Sequence, residues 1–119
     1  MSREFIAYLQ DQLDGLDGLS SRRMFGGHCL YARGTPFALV LNDTLYFCVD
    51  DQTRPRYQAM GSSCFTYETA RKRVALARYY QVPGELIEDA EPLLELAREA
   101  VAAARRTPAR GKRAKPART

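Results

Sequence analysis

Phe37-Ala38-Leu39-Val40-Leu41-Asn42-Asp43-Thr44-Leu45-Tyr46-Phe47-Cys48-Val49 decides the fold. Two strand-forming apolar runs flank Asn42 and Asp43, residue types that tolerate positive φ, so the segment reads as a tight antiparallel hairpin. In its second run Leu45, Phe47 and Val49 share one face, and Tyr46 and Cys48 share the other. Upstream, Arg22-Arg23-Met24-Phe25 reads as a short strand, broken at Gly26-Gly27 and resumed over residues 28–32. Arg33-Gly34-Thr35-Pro36 is turn chemistry. Three or four antiparallel strands result.

Outward from this sheet the period changes. Before it, Phe5, Ile6, Leu9, Leu13 and Leu16 recur at helical spacing behind Ser2, a candidate N-cap, and Gly15 marks the stop. After it, Thr53 is placed to cap a short helix with Pro55 in its first turn and Gly61 behind Met60, with Tyr57 and Met60 directed inward. Residues 64–67 and 74–77 then form a second hairpin, with Arg71-Lys72-Arg73 at its turn. Tyr79-Tyr80 ends that hairpin and Val82-Pro83 closes the strand. Residues 83–89 give one helical turn. Asp89 caps a last helix that tolerates Pro92 and lines Leu93, Leu94, Ala97, Val101 and Ala104 along one side. The fold class is therefore α+β, an antiparallel sheet flanked by helices in the order α-β-β-β-β-α-β-β-α.

At 119 residues the chain has room for one domain. Its net charge of +4 is unevenly spread. Arg105, Arg106, Arg110, Lys112, Arg113, Lys115 and Arg118 crowd the last fifteen positions, where no acidic residue occurs. Residues 1–104 carry 11 basic against 14 acidic residues, which argues against a basic groove in the folded part. The boundary is thus set at Ala104. Residues 1–104 are expected to form the domain and residues 105–119 a disordered basic tail that adds no stability.

The composition also excludes function classes. No apolar run approaches the ~20 residues of a membrane span, and Glu4 and Asp11 interrupt any export signal, so a cytoplasmic location is expected. Cys29, Cys48 and Cys64 are odd in number and widely spaced, which points to reduced thiols rather than disulfides or a metal site. His28 is the only histidine, so a Ser–His–acid triad has one possible base. Gly26-Gly27 lacks the context of a phosphate-binding loop. The expectation is no enzyme, no cofactor and no metal.

The ordered motifs Arg22-Arg23-Met24-Phe25-Gly26-Gly27-His28, Leu30-Tyr31, Phe37-Ala38-Leu39-Val40 and Leu45-Tyr46-Phe47 resemble the N-terminal domain of the TfoX/Sxy family. The resemblance continues through Thr53-Arg54, Gly61-Ser62, Phe65-Thr66-Tyr67, Tyr79-Tyr80 and Val82-Pro83. It implies an α+β domain and a role near the control of bacterial competence. The full-length regulators of that family carry a second, C-terminal domain and act with a cyclic-AMP receptor protein. Here a basic arm follows the last helix, and Cys29 stands where the family more often shows glycine. The matched Arg22, Arg23, Phe25, Gly26, Gly27, Tyr79, Tyr80 and Pro83 are structural or partner-facing. Phe25, Phe37 and Phe65 are expected in the core. Arg22 and Arg23 must point to opposite faces of a regular strand, and one is expected to turn inward to a carboxylate or outward to a partner.

Two functions follow. The chain is a non-enzymatic regulatory or interaction module, with a protein partner in the transcription machinery. Alternatively it binds DNA or RNA without sequence preference through the seven tail cations. For the second reading, neutralising five to seven phosphates predicts a log–log salt slope on the order of −4 to −6 on duplex DNA. Micromolar or weaker affinity near physiological salt is expected with it. Removing the tail should weaken binding more than Arg71→Glu with Arg73→Glu. Fluorescence anisotropy across a salt series measures both, and unchanged binding without residues 105–119 would refute the tail reading.

Overall fold

The computed structural model describes residues 2–24 and 27–106, apart from the side chains of Ser2, Arg3 and Met24. The expected cap at Ser2, and Phe25 and Gly26, therefore lie outside the described residues. Helix α1 (Ser2–Gln12) is amphipathic. It ends before the expected stop at Gly15: its apolar stripe buries Ile6 and Leu9, the turn that follows buries Leu13 and Leu16, and Phe5 packs against the same cluster. Four strands follow: β1 (Leu19–Met24), β2 (Gly27–Ala32), β3 (Thr35–Leu41) and β4 (Thr44–Cys48). Asn42 and Asp43 between β3 and β4 have φ of 51° and 58°, the positive-φ pair that a tight hairpin turn requires.

Short helix α2 (Arg54–Ala59) leads to β5 (Cys64–Glu68) and β6 (Arg73–Gln81), and α3 (Gly84–Ile87) precedes the long α4 (Ala90–Arg106). The six strands form one antiparallel sheet in the order β1-β2-β3-β4-β6-β5. One cross-strand row, Ser21, Leu30, Ala38, Phe47, Tyr80 and Cys64, runs through all six strands. Leu30, Ala38, Phe47 and Tyr80 in this row join one buried cluster with Leu9 of α1, Leu13 just after it, Tyr57 of α2, and Leu93, Ala97 and Ala100 of α4. The helices thus pack on a single face of the sheet.

Gly27 shows why β2 can begin where it does. A Cβ there would overlap the carbonyl oxygen of Val40 and the Leu41 side chain, so only glycine lets β2 approach β3 this closely. Met60 departs from the expected inward orientation. It is the C-cap residue of α2 and stands 38% exposed, and Tyr57 alone carries the helix into the core.

Two further departures concern caps. Thr53 makes no side-chain cap bond, because its hydroxyl is engaged with the backbone N–H of Asp50 at 3.1 Å. Asp50 instead closes the turn that leads into the helix, its Oδ1 accepting the backbone N–H groups of Gln52 and Thr53 at 3.0 and 3.1 Å. Helix α4 also runs two residues past the expected boundary at Ala104. Arg106 Nε donates to the buried Asp50 Oδ2 at 2.5 Å, and Arg105 Nε to the Thr35 hydroxyl at 3.4 Å. The end of α4 is thereby tied to the β4–α2 connection.

Arg106 holds the Asp50 carboxyl down to about 2, with the Thr53 and Gln52 N–H groups helping against the opposing effect of burial. A carboxyl lowered in the folded state contributes stability above its unfolded value near 3.8, and loses it as the pH falls toward 2. Asp50→Asn, or a chain ending at Ala104, should therefore lower the melting temperature at pH 7 by on the order of 5 °C. The difference from the full chain should shrink below pH 4 in a calorimetric series. Gly27→Ala should cost at least as much, or prevent folding, as seen by circular dichroism.

Candidate functional site

The alternation that sends Leu30, Ala38 and Phe47 into the core sends their neighbours to the opposite face. A second row there joins Arg22, Cys29, Leu39, Tyr46 and Gln81 across β1, β2, β3, β4 and β6. The described helices bury their apolar stripes in the cluster on the other side. This second face is the open one.

Its composition is aromatic. The Tyr46 ring meets Phe65 edge-on with centroids 5.0 Å apart, and Phe65 stacks with Tyr67 at 5.9 Å. Tyr46 and Phe65 are half-buried, and Tyr67 is 43% exposed. Phe65 therefore belongs to the open face, not to the core cluster where the sequence reading put it. At the other edge the Arg22 guanidinium lies 5.9 Å from the Tyr31 ring centroid, within cation–π range.

The centre of the face is drier. Cys29 and Cys48 are buried, and burial pushes both thiols up. A hydrogen bond with Tyr31 partly offsets this at Cys29, as the Arg78 charge does at Cys48. Both thiols stay protonated at neutral pH and are poor nucleophiles. Burial also raises the Tyr79 phenol, with lesser contributions from Cys48, Cys29 and Tyr31. Among the described residues no cluster of His, Cys, Asp and Glu converges as a metal would need. The face can stack planar groups, donate hydrogen bonds and attract anions.

The residues singled out by sequence separate. Arg22 and Arg23 do point to opposite faces, Arg22 to the open one and Arg23, in register with His28 and Val40, to the helix side. Both are exposed, and neither forms the expected inward ion pair among the described residues. Tyr79 lies on the open face, whereas Tyr80 is in the core beside Tyr57 and its hydroxyl accepts from Gln58 Nε2 at 3.3 Å. Gly27 serves strand approach, and Pro83 is the N-cap residue of α3. Of the seven tail cations, Arg105 and Arg106 are engaged by Thr35 and Asp50 at the end of α4. Arg110, Lys112, Arg113, Lys115 and Arg118 lie outside the described residues.

Sequence reasoning missed the aromatic row of Tyr31, Tyr46, Phe65 and Tyr67 as a surface. The signal was present: aromatic residues occupy the off-core positions of the strands, and too few helices remain to cover both faces. It also missed the charge layout. Residues 19–48 and 64–81, which hold the strands, carry seven basic and two acidic residues. The rest of residues 1–104 carries four basic and twelve acidic ones. The mildly acidic average of the folded part conceals a basic sheet layer under an acidic helical layer.

No curated protein matches this sequence significantly. The TfoX N-terminal domain matches residues 11–104, a span that takes in all six strands and the helices α2, α3 and nearly all of α4. With that match covering most of the chain, the protein belongs to the TfoX N-terminal domain family.

Proposed function

We propose that this protein is a non-enzymatic regulatory module that works by holding a partner against the open face of its sheet, in transcriptional control of the kind exerted over competence. The observation that carries this reading is the uncovered aromatic row of Tyr46, Phe65 and Tyr67, backed by a fully packed core on the other side. Contiguous exposed apolar surface of this kind marks interaction sites. The protonated, buried thiols of Cys29 and Cys48 support a binding role over nucleophilic chemistry. A cytoplasmic setting accords with a role in transcription, and no described helix is long and apolar enough to cross a membrane.

A second reading, nonspecific nucleic-acid binding through the C-terminal arm, draws on the five cations from Arg110 to Arg118 in a stretch free of acidic residues. The two readings are compatible, since the arm leaves the domain at the end of α4.

Transcript profiling in the native cell tests the first reading. Tyr46→Ala with Tyr67→Ala should reproduce the transcript changes of a gene deletion while protein abundance stays near normal. A double variant with a wild-type transcript profile would refute the face as the working surface.

A further inference from the structure

We propose that the open face of the sheet binds single-stranded nucleic acid, with bases against the aromatic row and phosphates on the cations that border it. This inference rests on the reading that the open face is the working surface, and names the partner class. Strand β6 pairs with β4 only over residues 79–81, while β5 pairs with β6 down to Glu68 and Arg73. The outer part of the β5–β6 hairpin therefore extends past the sheet as an arm. Tyr67 and Phe65 lie along this arm, and Arg71, Lys72 and Arg73 sit at its exposed tip. From Tyr46 through Phe65 and Tyr67 to that tip, rings give way to cations.

Charge selects the occupant. Arg22 on the open face and Arg71, Lys72 and Arg73 at the hairpin tip outnumber Glu68 beside them, whereas Arg23 faces the helix side. Glu68 is itself paired with Arg73 at 3.1 Å, and Asp17 with Arg33. The open face of a second copy would meet this surface with like charge, and the chain's own tail is cationic, so neither fits. A polyanion does. Rings prefer a single strand to a duplex, because only unpaired bases present their faces for stacking. Six strands at about 4.8 Å spacing give a surface on the order of 24 Å across, room for about four nucleotides.

The test uses the full chain with Arg110, Lys112, Arg113, Lys115 and Arg118 replaced by Gln, so that the tail does not mask the face. Fluorescence anisotropy is read with a labelled 15-nucleotide oligo-dT, its RNA counterpart oligo-U, and a 15-base-pair duplex. The single strands should bind at least about tenfold more tightly than the duplex, as a surface built on base stacking requires. Tyr67→Ala, at an exposed position that leaves the core intact, should weaken single-strand binding by about fivefold or more with an unchanged melting temperature. Arg71→Glu with Arg73→Glu should lower the log–log salt slope by about two.

Equal affinity for duplex and single strand, or Tyr67→Ala binding like its parent, would overturn the proposal. Loss of all binding once the tail is neutralised would overturn it too. Polyglutamate competing as well as oligo-dT would overturn it in favour of an acidic protein partner. Failure here, with Tyr46→Ala and Tyr67→Ala still altering transcripts in the cell, would leave the open face as a protein-binding surface. Wild-type transcripts from that variant, by contrast, would remove the interaction reading itself.

Discussion

The seating of α4 on the sheet is the contact on which the other elements depend. Its inward side is small: Ala97, Ala100, Ala103 and Ala104 are buried between the larger Leu93, Leu96 and Val101. Alanines let the helix axis come close to β3 and β4, which also present a small residue, Ala38, at the contact. Close approach then allows Leu93 and Phe47 to fill the same core as Leu9 and Leu13. Interiors packed to crystal-like density tolerate little change in volume, so a bulkier residue at Ala97 or Ala100 would lift the helix and open the whole layer. The Asp50–Arg106 pair fixes where along the sheet this helix stops.

One helical layer over six strands leaves the second sheet face without a cover. An antiparallel sheet ordinarily meets water with polar residues there. This one keeps Leu39, Tyr46, Phe65 and Tyr67 on the same face as the buried Cys29 and Cys48. The centre of the face is dry and its rim wet. The hydrophobic effect alone would favour covering the rim.

Much of this was legible in the residues. Asn42-Asp43 between two apolar runs located the central hairpin, and the 3.6-residue stripes located α1 and α4, because short-range turn chemistry and periodicity act within a few residues. The motif from Arg22 to Tyr80 pointed to the family. What stayed hidden depends on distant pairs. Asp50 and Arg106 are far apart in sequence, so neither the true end of α4 nor the anchoring role of Asp50 could be seen from local spacing. Met60 obeys helical spacing with Tyr57 yet ends its helix at a C-cap that turns it outward. Phe65 looked like core because an aromatic in a strand usually is, and only its edge-on contact with Tyr46, just past the register shift after Cys64, puts it on the other side. The charge layers were invisible to any average over the sequence.

Those layers make the folded domain an electrical couple. Positive charge collects in the sheet and negative charge in the helices, on the order of 10 Å away. Such a separation gives the molecule a dipole moment much larger than its net charge suggests. A dipole experiences a torque in the field of any large polyion before contact occurs. Approaching a negatively charged polymer, the domain would rotate so that the sheet leads and the helices trail, shortening the orientational search that limits most encounters. Salt would screen that torque within about 10 Å at 0.1 M, so orientational capture would fade over the same range of ionic strength in which short-range stacking survives.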